Sequence, residues 1–271
     1  MGAGITQTVA QKGLDVTMKG RSEESLGKAM AKMSKGINRL VDKQKITQED
    51  ADKILGRITT TTNFDDIKDA DIVIEAISEE MEVKKGILSH LCSILKPEAI
   101  IATNTSSLSI TELASATHRA DKVIGMHFFN PVPVMKLVEV ICGQLTSTET
   151  LDTVMELCGT LQKTAVKVNE APGFVVNRIL IPMINEAIGE LADGVATAEE
   201  IDTAMKLGAN HPMGPLQLGD YIGLDVCLAI MEVLFNEYGD SKYRPHPLLR
   251  KMVRANLLGC KTGQGFYDYR K

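Results

Sequence analysis

Val123-Ile-Gly-Met-His-Phe-Phe-Asn-Pro-Val-Pro-Val-Met-Lys-Leu-Val-Glu-Val-Ile141 reads as two extended segments with a break between them. Residues 123–126 form an apolar run of the length of a buried strand. Pro131 and Pro133 lack the backbone N–H that a central ladder needs, so the strand is expected to stop at His127 and a second to resume over residues 137–141. His127 is thereby set at a strand end, facing a loop. An imidazole there can act as acid or base near neutral pH, and an apolar-flanked Glu139 beside it would fix its tautomer and favour the imidazolium. The alternative for such a pair is a core histidine hydrogen-bonded to a structural glutamate.

Strand patterns recur on both sides of this stretch, at residues 15–18, 58–62, 72–76, 99–103 and 165–168, with helical patterns such as 83–95 and 150–162 between them. The alternation predicts an α/β fold with a doubly wound, mostly parallel sheet. Ligands on such sheets lie beyond the carboxyl ends of the strands. Glu79 and Lys84 follow the strand at 72–76, and Asn104, Ser106 and Ser107 follow the strand at 99–103. Serines at a strand end are also common helix caps. The chain opens on a helix that starts near Gly2 and closes at Gly13. In a dinucleotide-binding unit a strand and a G-x-G-x-x-G turn precede this helix, and Gly2 can supply only the third glycine. The expectation is a functional polypeptide that begins about a dozen residues upstream of Met1, the length of one strand and the turn.

Residues 23–45 are patterned as a helix, with Leu26, Met30, Met33, Ile37 and Leu40 on an apolar face and Lys28, Lys32, Lys35, Arg39 and Lys43 on a basic one. A basic stripe in an acidic chain needs explaining, a solvated charged face being the common outcome. Glu170-Ala-Pro-Gly closes the strand pattern, which sets an α/β domain at residues 1–171 and a helical domain at 172–271. The second domain carries a long apolar helix over 174–191 with Pro182 inside it, the capping box Thr197-Ala-Glu-Glu200, and helices over 224–238 and 247–257. These helices are apolar on more than one face, the pattern of a surface buried against a second subunit.

Composition narrows the function classes. A chain of 271 residues with 44% hydrophobic content can bury two cores, and no apolar run reaches the roughly 20 residues of a membrane span. Five scattered cysteines without a CxxC pair read as reduced thiols, giving neither a disulfide framework nor a metal site. A net charge of −5 argues against nucleic acid as the main partner. No secretory pattern opens the chain, so the expected location is the cytoplasm.

His127-Phe-Phe-Asn-Pro-Val-Pro-Val-Met-Lys-Leu-Val-Glu139, with Asn104-Thr-Ser-Ser-Leu108, Ala171-Pro-Gly-Phe-Val-Val-Asn-Arg178 and Lys261-Thr-Gly-Gln-Gly-Phe-Tyr-Asp-Tyr269, resembles the short-chain 3-hydroxyacyl-CoA dehydrogenases, and among them the bacterial branch acting on 3-hydroxybutyryl-CoA. The resemblance implies a Rossmann-type domain and a helical domain through which the protein forms a homodimer. It implies dinucleotide contacts from Gly2, Glu79, Lys84, Asn104, Ser106, Asn130 and Lys261. Residues 23–57 would form a helical hairpin beside the CoA nucleotide, with Lys43 its nearest cation. One departure concerns the cofactor: the family's ribose-binding Asp is replaced by Gly20, flanked by Lys19 and Arg21. A missing carboxylate removes repulsion from a 2′-phosphate and an adjacent Arg can grip one, which favours NADP(H), with NAD(H) the alternative.

The implied reaction is reversible oxidation of a short (S)-3-hydroxyacyl-CoA, in butanoate or fatty-acid metabolism. His127 would take the hydroxyl proton, Glu139 would orient it, and Ser106 and Asn177 would hold substrate oxygens. The rival reading is a catalytically silent dinucleotide-binding sensor or structural protein of the same fold.

Overall fold

The computed structural model describes residues 1–270 and divides into two compact units, Met1–Glu170 and a second beginning at Ala171. The first unit holds helices α1 (Gly2–Gln11), α2 (Glu23–Asp42), α3 (Gln48–Gly56), α4 (Met81–Ile94), α5 (Ile110–Ser115) and α6 (Thr148–Thr160). Its strands are β1 (Val16–Lys19), β2 (Ile58–Thr61), β3 (Ile72–Glu75), β4 (Ile100–Thr103), β5 (Val123–Phe128), β6 (Leu137–Cys142) and β7 (Thr164–Asn169). Local signals set the helix starts: the Ser22 hydroxyl accepts from the Ser25 N–H and the Thr47 hydroxyl from the Asp50 N–H, each within a reciprocal capping box. Helix α2 buries Leu26, Met33 and Ile37, half-buries Met30 and Leu40, and leaves Lys28, Lys32, Lys35, Arg39 and Lys43 exposed.

Among the described residues the strands form two sheets, a parallel pair β1-β2 and a five-stranded sheet in the order β3-β4-β5-β6-β7. Pairing is parallel from β3 to β5 and between β6 and β7, and antiparallel between β5 and β6. Helix α1 packs on both sheets, Ile5 and Val9 with Ile72 and Ile74, Ala10 with Val16 and Ile58. One expectation is corrected: β5 does not stop at His127 but runs to Phe128, so the histidine sits within the ladder opposite Glu139. The prolines interrupt pairing only from Pro131 onward, and every residue from Val123 to Phe128 is buried.

The second unit holds α7 (Val176–Ala192), α8 (Ala198–Gly208), α9 (Pro215–Ile222), α10 (Leu224–Tyr238) and α11 (Pro247–Arg254), around a core that includes Ile181, Ile184, Ile188, Leu224, Met231 and Leu234. Two buried carboxylates organise its end. Asp220 accepts the N–H groups of Phe266 and Tyr267 at 3.0 and 2.9 Å, and Asp202 accepts those of Leu216 and Gln217 and the Tyr267 hydroxyl, all within 2.9 Å. Burial pushes the Asp220 carboxyl up despite those donors. A Cβ on Gly265 would overlap Asp220 Oδ1, so only glycine lets the last turn close here. Gly265, Phe266 and Tyr267 of the Lys261–Tyr269 motif thus close the end of the unit. No helix among the described residues is long and apolar enough to cross a membrane.

Candidate active site

The antiparallel register of β5 and β6 puts His127 and Glu139 directly opposite, on one face of the sheet. Their side chains meet: His127 Nδ1 lies 2.7 Å from Glu139 Oε2, with 8% and 1% of the two side chains exposed. A buried carboxylate at that distance keeps the proton on Nδ1, which leaves the lone pair of the neutral ring on Nε2. The Phe129 ring leans on the imidazole, centroids 4.4 Å apart and planes at 48°. Asn104 Oδ1 accepts the Phe128 N–H at 2.9 Å and so ties the end of β4 to the end of β5.

The turn after β4 is built around Glu79. Its Oε1 accepts from Thr105 Oγ1 at 2.5 Å, Ser106 N at 2.6 Å and Ser106 Oγ at 3.0 Å. Lys84, expected to touch a dinucleotide directly, lies beneath this surface. Its side chain is fully buried, with Nζ 2.8 and 2.9 Å from the Glu75 oxygens and 3.4 Å from Glu79 Oε2. Glu75 also accepts from Thr103 Oγ1 at 2.7 Å and Ile77 N at 2.6 Å. Sequence reasoning passed over Glu75 and Thr103. The available signal was a carboxylate closing the apolar run Ile72-Val-Ile-Glu75, because such a group is buried only with a cation or donors to match.

The residues at the amino end of the unit suit a phosphate-bearing dinucleotide. Helix α1 begins at Gly2 with no capping side chain and no acidic residue in its first turn, so its first N–H groups suit an anion. Beyond β1, Gly20 offers no carboxylate and Arg21 is exposed. Lys19 Nζ rests 3.7 Å from the Phe64 ring centroid, a cation–π contact that sets it beside the turn. A Cβ on Gly20 would lie 2.6 Å from Leu26 Cγ, so any acidic residue there requires Leu26 to move.

The other expected residues are placed as follows. Asn130 is exposed in the loop after β5, and Lys43 is exposed at the end of α2. In the second unit Asn177 is buried in the first turn of α7, and Lys261 Nζ pairs with both Asp225 oxygens at 2.9 Å. Among the described residues no group of three His, Cys, Asp or Glu could hold a metal ion. Burial pushes the Cys158 thiol up to about 11 and Cys227 up to about 12, so neither presents a thiolate at neutral pH.

Residues 1–171 match the family model of the 3-hydroxyacyl-CoA dehydrogenase NAD binding domain, and residues 173–269 that of the 3-hydroxyacyl-CoA dehydrogenase C-terminal domain. The chain is 61% identical over 271 residues to the 3-hydroxybutyryl-CoA dehydrogenase of Clostridioides difficile, covering all of this chain and 96% of that one. It is 40% identical to the mitochondrial hydroxyacyl-coenzyme A dehydrogenase of Sus scrofa, covering 100% of this chain and 88% of the relative. The crystal structure of (S)-3-hydroxybutyryl-CoA dehydrogenase from Ralstonia eutropha superposes with a TM-score of 0.97 at 52% identity, over 100% of this chain and 96% of that one.

Proposed function

The chain belongs to the 3-hydroxyacyl-CoA dehydrogenase family, a family of oxidoreductases, and on that premise we propose that it interconverts (S)-3-hydroxybutyryl-CoA and acetoacetyl-CoA with a nicotinamide dinucleotide. The observation that carries this reading is the buried His127–Glu139 pair at the carboxyl end of β5. When bound, the dinucleotide supplies the hydride acceptor. His127 Nε2 takes the hydroxyl proton as the alcohol is oxidised and returns it in reduction. Glu139, held against Nδ1, fixes the tautomer and stabilises the imidazolium that forms. Ser106 and Asn177 hydrogen-bond substrate oxygens and stabilise the charge that develops there. Gly2 with the start of α1, Lys19, Arg21, Glu79, Asn104, Ser106, Asn130 and Lys261 hold the dinucleotide, and Lys84 serves it through Glu79. Lys43 and the stripe on α2 take the phosphates of the CoA nucleotide.

The preferred cofactor in this reading is NADPH, because Gly20 removes a carboxylate and Arg21 adds a guanidinium able to bind a 2′-phosphate bidentately. Arg21→Ala should raise KM for NADPH about 10- to 150-fold, the loss of roughly 1.5–3 kcal/mol of charge-assisted hydrogen bonding, and leave NADH nearly unchanged. Initial rates at varied concentrations of each cofactor check it. An equal loss with both would remove the 2′-phosphate from the argument, since that group alone distinguishes them.

We place the protein in the cytoplasm as a homodimer. Support for the dimer comes from large apolar side chains left bare on the second unit, Leu207 at 82%, Ile179 and Val195 at 69% and Tyr221 at 57% exposed. The decisive experiment mixes the purified protein with acetoacetyl-CoA and NADPH or NADH and follows nicotinamide absorbance. Steady oxidation is expected, and a folded, dinucleotide-binding protein without turnover would be the silent alternative.

A further inference from the structure

The loop after Phe129 is fastened by a side chain from the turn between α6 and β7. Helix α6 ends in a reversal in which Gln162 takes φ 54° and the Lys163 N–H bonds Cys158 O at 2.9 Å. This delivers the Lys163 side chain, just ahead of β7, to residues 131–135. Its Nζ donates to Val132 O at 2.5 Å and to Met135 O at 2.8 Å. Within that turn the N–H groups of Val134 and Met135 both bond Pro131 O, at 2.9 and 3.0 Å. Only the inner half is packed. Val132 is 2% exposed and shares a core with Ile5 and Phe128, whereas Val134 is 71% and Met135 40% exposed. The outer half is therefore held by polar bonds, those two backbone bonds and the ammonium on two carbonyls.

The arrangement carries an electrostatic cost. Burial, with Lys12 nearby, holds the Lys163 amine below the usual lysine range. A cation kept in such a place does something that an apolar residue of the same length would not. The fastened turn lies two residues beyond Phe129, whose ring leans on the imidazole at 4.4 Å. We propose that Lys163 is a positioning residue: it holds the turn at residues 131–135, and through Phe129 the ring of His127, in the arrangement needed for proton transfer. The proposal rests on His127 being the base of the reaction proposed above. Misplacing a reacting group by an ångström can lower the rate about 100-fold, so the effect should appear in kcat.

Lys163→Met and Lys163→Arg test it, with kcat and KM for acetoacetyl-CoA, melting temperature, and deuterium uptake of the peptide spanning residues 129–136. Lys163→Met should lose about 10- to 100-fold in kcat with KM changed less than about threefold, and uptake at Val134 and Met135 should rise. Lys163→Arg keeps the charge and donors and should recover to within about threefold of wild type. Should Lys163→Met not fold, Lys163→Gln takes the same measurements with the same expected losses. Near-native kcat in the uncharged variant, or lost kcat with unchanged uptake at the turn, would overturn the proposal. A wild type that binds dinucleotide without turning over acetoacetyl-CoA would instead defeat the functional reading, and uptake would still report whether Lys163 holds the turn.

Discussion

His127→Gln should lower kcat by about 10² to 10⁴ while acyl-CoA affinity stays close to that of the wild type. Glutamine fills much of the same volume and can hydrogen-bond, but it cannot take up a proton near neutral pH, so the change isolates proton transfer from binding. The carboxylate opposite makes a second, independent demand. Glu139 lies 2.7 Å from Nδ1 in a side chain only 1% exposed, so Glu139→Gln replaces a pure acceptor with an amide that can turn its NH₂ toward the ring. A ring that accepts at Nδ1 carries its proton on Nε2, and there it can no longer act as a base. Glu139→Gln should therefore also be slow. Calorimetric titration with acetoacetyl-CoA separates the two effects. Near-native kcat in His127→Gln would remove the imidazole from the chemistry, whereas a raised dissociation constant at constant kcat would make it a binding residue.

Where sequence and structure agree, the reason is that a single local pattern decides the outcome. The capping boxes at Ser22 and Thr47, the apolar face of α2 and the span Leu224–Tyr238 of α10 each follow from residues within a few turns of one another. Helix α5, six residues long, carries too few residues to show a period and was not legible. The pairing of His127 with Glu139 was legible as a possibility, because both flank a proline-broken connection. That they stand opposite in register depends on β5 running past His127 to Phe128, which apolar content alone did not reveal. Least legible were contacts across the chain. Lys163 and the carbonyls of Val132 and Met135 are some thirty positions apart, with no motif joining them. Glu75 and Lys84 are nine apart, a spacing that lines up on neither a strand nor a helix, and the strand–loop–helix geometry alone closes the gap.

That ion pair yields the largest expected change in stability. Lys84→Met should destabilise the protein by about 3–5 kcal/mol, because it leaves the Glu75 carboxylate without its cation in a buried setting. The cost is high because the lysine does not merely add a bond. It neutralises a carboxylate that holds Thr103 at the end of β4 and Ile77 after β3, and it stands 3.4 Å from Glu79, which gathers Thr105 and Ser106. Loss of the cation should therefore loosen the turn after β4 and weaken dinucleotide binding along with stability. Urea denaturation and nicotinamide fluorescence titration measure the two. Adding Glu75→Gln to Lys84→Met removes the stranded charge; the amide oxygen can still accept the Ile77 N–H while its NH₂ donates to the Thr103 hydroxyl, so the double variant should regain much of the stability. The double variant also distinguishes the two roles open to Lys84. A strut acting through Glu79 predicts that dinucleotide affinity recovers together with stability. A lysine that touches the dinucleotide itself predicts recovery of stability alone, and that outcome would return Lys84 to the binding surface.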